Sequence, residues 1–120
     1  MAQRGRPTKQ QRFINWWTQR AETTAIATAT KCAEYGSHDL YAIGHNVARM
    51  NRRTVSNAEA FEIGCLFYVL GKIERALSAT QRGETASDDT WFDLSVYATM
   101  VQAHRAGVWM DQLQEKENTK

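Results

Sequence analysis

Residues 57–80 read NAEAFEIGCLFYVLGKIERALSAT. No proline interrupts this stretch, and Ile63, Leu66, Phe67, Leu70, Ile73 and Leu77 recur three or four residues apart. That spacing predicts a helix with a broad apolar stripe. Ser56 stands just before it and Glu59 three residues later, the pattern of a capping box. A long helix that is apolar over so wide an arc needs other helices to cover it, and the flanking sequence supplies them.

Upstream, Ser37-His38-Asp39 offers short polar side chains to cap a helix start. Leu40, Ile43, Val47 and Met50 follow on one predicted face, and Asn51-Arg52-Arg53 closes that short helix. Further upstream, residues 10–35 lack Gly and Pro. Phe13, Trp16, Trp17, Ala21, Ala25, Ala29, Cys32 and Ala33 recur there at helical spacing, with Gly36 as a candidate C-cap. Downstream, a polar loop over 81–87 contains Gly83. Ser87-Asp88-Asp89 then opens a helix carrying Leu94, Tyr97, Val101 and Val108, with Phe92, Val96 and Met100 widening its stripe. No segment alternates as a strand does. The expected fold is all-α, a bundle of about four helices over residues 10–112, between a flexible basic arm (1–9) and a charged tail (113–120) that frays. Four helices in 120 residues leave part of the apolar arc uncovered, which predicts a homodimer or homotetramer.

An apolar fraction of 42% and a charged fraction of 23% are those of an ordinary globular chain, which excludes wholesale disorder. The longest apolar run is far short of a membrane span, and the N-terminus lacks the apolar core of a secretory signal, so a cytoplasmic location is expected. Cys32 and Cys65 sit within helical patterns without further Cys or His at metal-ligand spacing. They read as small buried side chains. The net charge is +2, yet five basic residues precede the first acid, Glu22, so the rest of the chain is net acidic.

Two acidic pairs carry the chemistry. Glu59 and Glu62 lie one turn apart near the start of the third helix. Asp89 and Asp93 share a face near the start of the fourth. Four carboxylates brought together repel unless a cation sits among them, and Mg²⁺, a hard ion that keeps waters for substrate phosphates, suits such a set. Antiparallel packing of consecutive helices would keep the pairs apart by much of a helix length. Convergence then needs Glu74, a crossing connection or a second subunit. Acids in a first helical turn also have a simpler reading as caps and dipole partners.

These residues resemble the MazG-like all-α nucleotide pyrophosphohydrolases. Glu59-Ala-Phe-Glu62 matches the family's ExxE element. In the following ExxD element Asp93 takes the Asp place, while Thr90 stands where Glu belongs and Asp89 is a shifted substitute. More narrowly, Lys31…Glu34-Tyr35-Gly36, then Lys72-Ile73-Glu74-Arg75, then Asp88-Asp89-Thr90-Trp91-Phe92-Asp93-Leu94…Tyr97-Ala98 resemble, in order, a small phage-associated branch of that superfamily. The resemblance implies hydrolysis of a nucleoside triphosphate to monophosphate and pyrophosphate with Mg²⁺ (or Mn²⁺), in host cytoplasm for a phage-encoded chain. It implies metal held by Glu59, Glu62, Asp89 and Asp93, and catalysis resting on Glu62, Asp93 and Lys72. Nucleotide would be held by Lys31, Glu34, Tyr35 and Arg75, with Tyr35, Trp91 or Tyr97 facing the base. The departure at Thr90 admits a degenerate relative that binds without cleaving. The same residues have structural readings: Lys72 and Arg75 as solvated flanks of the core, Glu34-Tyr35-Gly36 as a helix end, Trp91 and Tyr97 as core or interface, and His104 as a structural helical histidine.

Arg4-Gly5-Arg6-Pro7 matches the core of an AT-hook, whose arginines enter a narrow A·T minor groove. A disordered solubilising tail is the commoner reading of so short a match. The arm, with the imperfect acidic motif, supports a second class of function: a non-enzymatic phage protein that binds DNA weakly through Arg4 and Arg6, or a host protein through its helical body.

Overall fold

The computed structural model describes residues 5–35 and 38–118. Five helices follow one another: α1 (Lys9–Tyr35), α2 (His38–Met50), α3 (Asn57–Gln81), α4 (Asp88–Arg105) and α5 (Met110–Asn118). Among the described residues there is no strand, and no helix is long and apolar enough to cross a membrane.

The helix limits follow from local chemistry. Ser87 Oγ accepts from Thr90 N at 3.2 Å and caps α4. Ser56 Oγ accepts from Glu59 N at 3.2 Å, which forms one half of the expected capping box. The other half is missing because the Glu59 carboxylate turns to Arg53. At α1 both halves form: Thr8 Oγ1 accepts from Gln11 N at 3.1 Å, and Thr8 N donates to Gln11 Oε1 at 2.8 Å. Thr8-x-x-Gln11 is the signature of a helix start, and it draws α1 one residue into the segment read as a flexible arm. Helices α2, α3 and α4 end alike. Arg52, Gly83 and Gly107 take positive φ (59°, 80° and 76°). The following N–H then reaches back to Ala48, Ala79 and Ala103 respectively. This is the Schellman closure, natural for glycine and strained for Arg52. The capping roles expected of Gly36 and Ser37 lie outside the described residues.

The core forms where α2 crosses α3. Leu40, Gly44 and Ala48, four apart on α2, face Ala60, Phe61, Gly64 and Cys65 on α3, and all are buried. A Cβ on Gly44 would lie 1.8 Å from the Ala60 carbonyl oxygen, and one on Gly64 would lie 2.2 Å from that of Leu40. The backbones touch, and only hydrogen side chains permit it. Phe61 is fully buried; Trp109, entering from the α4–α5 turn, packs edge-on against it with ring centroids 5.3 Å apart.

Three expectations about packing change. The stripe read on α3 is not its buried face. Leu66, Phe67, Leu70, Ile73 and Leu77 are exposed, and the core uses the neighbouring row. On α2, Met50 is 82% exposed and Gly44 is buried, because the close crossing selects small residues over large ones. Residues after Met110 form α5, which is tied back to the core through Asp111 and Gln112. The cysteines are both free, with Cys65 buried and Cys32 half-buried. Burial, reinforced by Glu62, pushes the Cys65 thiol up to about 12.

Gly64→Ala should lower the unfolding free energy by ~1–3 kcal/mol or more, the usual cost of overpacking. Gly71→Ala, whose Cβ would meet only an Arg75 side-chain atom at 3.8 Å, should be neutral or stabilising. Urea denaturation followed by circular dichroism compares the two. Equal midpoints for both variants would contradict the close crossing.

Candidate functional site

Helices α3 and α4 run antiparallel, and three contacts define their register. Glu62 meets Arg105, Tyr68 stacks on Tyr97, and Lys72 meets Asp93. Lys72 Nζ donates to Asp93 Oδ2 at 2.9 Å, with side chains 23% and 43% exposed, so this pair is sheltered on the Lys side. Arg105 holds Glu62 with two hydrogen bonds, from Nε and from the guanidinium NH₂. Glu59 is held by Arg53 at 3.2 Å.

The two acidic pairs therefore do not meet within one chain. The ten residues from Glu62 to Lys72 span about 15 Å of helix, and Asp93 sits beside Lys72. Glu59 and Glu62 belong to one end of the α3–α4 seam and Asp93 and Asp89 to the other. Glu74 is exposed on α3. Among the described residues no three of His, Cys, Asp and Glu are gathered as a metal site.

The remaining candidates divide by element. Lys31 and Glu34 are exposed on α1, Arg75 on α3 and Asp89 in the first turn of α4. The side chain of Tyr35 and the whole of Arg4 lie outside the described residues. Tyr97 packs flat on Tyr68, rings 5.9 Å apart and 9° from parallel, and burial raises its pKa, with smaller contributions from Tyr68, Cys65, Asp93 and Cys32. It faces the seam rather than an open base site. Trp91 is 63% exposed and lines a cleft of about 1060 Å³ between α1 and α4. Arg20 of α1 lies over Phe92 of α4 there, 5.5 Å from the ring centroid.

A second polar cluster was not assigned from the sequence. His104 is buried and stacks on Phe61, centroids 4.1 Å apart. Its Nε2 lies 2.7 Å from Tyr41 Oη, and Tyr41 Oη donates to Asp111 Oδ2 at 2.9 Å. The single Tyr41 hydroxyl proton is thus committed to the carboxylate, so Nε2 of His104 carries a proton and donates. Gln112 Nε2 approaches His104 Nδ1 at 3.4 Å as a donor and also reaches the His104 carbonyl at 2.9 Å. Nδ1 is accordingly an acceptor, and the ring is held neutral. Burial lowers the His104 pKa, while Asp111 and then Glu62 oppose it. Tyr41, His104 and Asp111 come from α2, α4 and α5, sixty or more residues apart in part, so no local motif announces them.

The chain matches no family model, no curated protein and no solved structure.

The His104 network sets a pH dependence. With its folded pKa below the ordinary 6.5, the folded chain binds fewer protons than the unfolded one in that window. Stability from this group is present above pH 6.5 and declines as pH falls below it. The melting temperature should therefore be lower at pH 5.5 than at pH 7.5, and His104→Gln should flatten that slope while lowering stability at pH 7.5. A slope unchanged by the substitution would remove His104 as its source.

Proposed function

We propose that the chain binds a nucleoside triphosphate and, with Mg²⁺ or Mn²⁺, hydrolyses it to monophosphate and pyrophosphate in the manner of the MazG-like proteins that it resembles. The observation that supports this reading is the Lys72–Asp93 pair. Its two members come from separate pieces of the resemblance, Lys72-Ile73-Glu74-Arg75 and Asp88…Tyr97-Ala98, and they meet across the α3–α4 seam. A sheltered cation beside a carboxylate suits phosphate and metal together. Lys72 and exposed Arg75 answer phosphate charge, and Asp93, with Asp89 one turn before it, offers oxygen ligands. Mg²⁺ needs only one or two protein carboxylates when substrate phosphates complete its shell, and it then neutralises charge on the reacting phosphoryl group. Glu59 and Glu62 enter such a site only from another chain, because their own helix carries them away from Asp93.

Pyrophosphate release from a panel of deoxy- and ribonucleoside triphosphates tests this. Activity in the intact chain should fall by roughly 10²-fold or more in Asp93→Asn and in Lys72→Met. Nucleotide binding by equilibrium dialysis without release would make the chain a degenerate, binding-only relative. Neither binding nor release across the panel, with Mg²⁺ or Mn²⁺, refutes the reading. Glu62→Gln distinguishes the sites: unchanged turnover means a site on one chain, and loss with intact folding means carboxylates shared between chains.

One observation favours a second reading, a non-enzymatic protein that binds DNA or a host protein. The ExxE carboxylates are both engaged by arginines, Glu59 by Arg53 and Glu62 by Arg105, as in a structural seam. Deleting residues 1–7 should then weaken binding to an A·T-rich duplex, more visibly at low salt than at high salt. No binding by the intact chain at low salt ends the DNA version.

A further inference from the structure

Helix α1 carries 27 residues, and its own chain covers little of it. Phe13, Ile14, Trp16 and Trp17 are between 51% and 65% exposed, and Ile26 is 81% exposed. Its sparse close contacts are mainly with α4, and a cleft of about 1060 Å³ lies between the two helices. Alanines 21, 25, 29 and 33 of α1 line it at four-residue intervals; Trp91, Val96 and Met100 line the α4 side.

The chain exposes more surface than a compact monomer of its mass. Its accessible area is 9712 Å². A folded monomer of 13.7 kDa is expected to expose about 6600 Å². Its radius of gyration is 18.9 Å, against about 14 Å for a compact chain of this length. The excess, ~3100 Å² over the whole chain, is larger than the ~800 Å² per partner that a standard interface buries.

We infer that a second copy of this chain occupies the cleft, its α1 lying along the alanine row of the first in a symmetric helix-on-helix contact. Three features select this occupant. The cleft is a concavity lined by α1, α4 and the α4–α5 turn, which a flat lipid surface does not fill. Small residues four apart let a helix approach closely, and α1 itself carries the matching row. The charged residues lining the cleft are one Arg20 and one Asp88, so the surface favours neither an acidic nor a basic partner but is complementary to itself. Reciprocal seating covers α1 and the cleft on both copies at once. It does not depend on the nucleotide reading, since Lys72 and Asp93 lie outside the cleft lining.

Light scattering on the intact protein at micromolar concentration should give a mass at least twice the 13.7 kDa of one chain. Ala29→Arg, on an exposed helical position of the single chain, should lower that mass and red-shift tryptophan emission as Trp16, Trp17 and Trp91 meet water. Ala42→Arg, exposed on α2 and outside the cleft, should leave the mass unchanged. Should Ala29→Arg lose helix, a dilution series of the intact protein replaces it, with falling mass expected to accompany the same red shift. A single-chain mass throughout, with helix content intact, overturns the inference and leaves the cleft to a foreign partner or a vesicle surface. A folded Ala29→Arg that keeps the parental mass overturns it equally.

Discussion

The crossing of α2 over α3 is closed to the width of two bare backbones. Gly44 abuts the Ala60 peptide and Gly64 abuts that of Leu40, so neither helix can shift along the other without a carbonyl striking a Cα. That fixes the position of Phe61 beside the crossing, and Phe61 in turn carries His104 on one face and Trp109 against its edge. Helix α4 and the start of α5 are thereby anchored to the same point. A small core of this kind gains little from apolar area alone. Tyr41, His104, Asp111 and Gln112 add a polar network that specifies how the fourth and fifth helices join it.

The α3–α4 seam spreads away from that anchor and distributes charge along its length. Acids and bases alternate across it, Glu62 with Arg105 and Lys72 with Asp93, with two tyrosines stacked between them. Such spacing keeps like charges apart and explains why the carboxylates are separated into pairs with cations. It also means that chemistry needing the carboxylates of both ends of the seam at one point would have to draw some of them from a second chain.

Packing is densest around the crossing and thinnest at α1. An isolated helix is marginal in water unless one face is covered, and the first third of α1 displays Phe13, Trp16 and Trp17 to solvent. On α3 the stripe of Leu66, Phe67, Leu70, Ile73 and Leu77 is exposed as well. The chain therefore combines a small buried core with apolar surfaces that its own helices leave exposed.

The positions of the helices were legible in the residues. Caps at Ser56 and Ser87, the turn at Gly83 and apolar spacing over 57–80 placed α3 and the start of α4 almost to the residue, because these signals act over three or four positions and need no tertiary partner. Helix α4 ends earlier than its apolar spacing predicts, since Val108 lies in the turn beyond Arg105. The separation of Glu62 from Asp93 was legible too, since it follows from antiparallel geometry alone. The buried face of α3 was not legible. That helix is apolar around most of its circumference, so its periodicity was satisfied equally by the row that includes Phe61 and Cys65 and by the row that includes Leu66 and Leu70. The choice between them was made by Gly44 and Gly64, whose lack of side chains has meaning only opposite another backbone. The Tyr41–His104–Asp111 network was hidden for the same reason. Short-range order is encoded in neighbours along the chain, whereas which face is inside depends on contacts between residues distant in sequence, and those exist only once the helices cross.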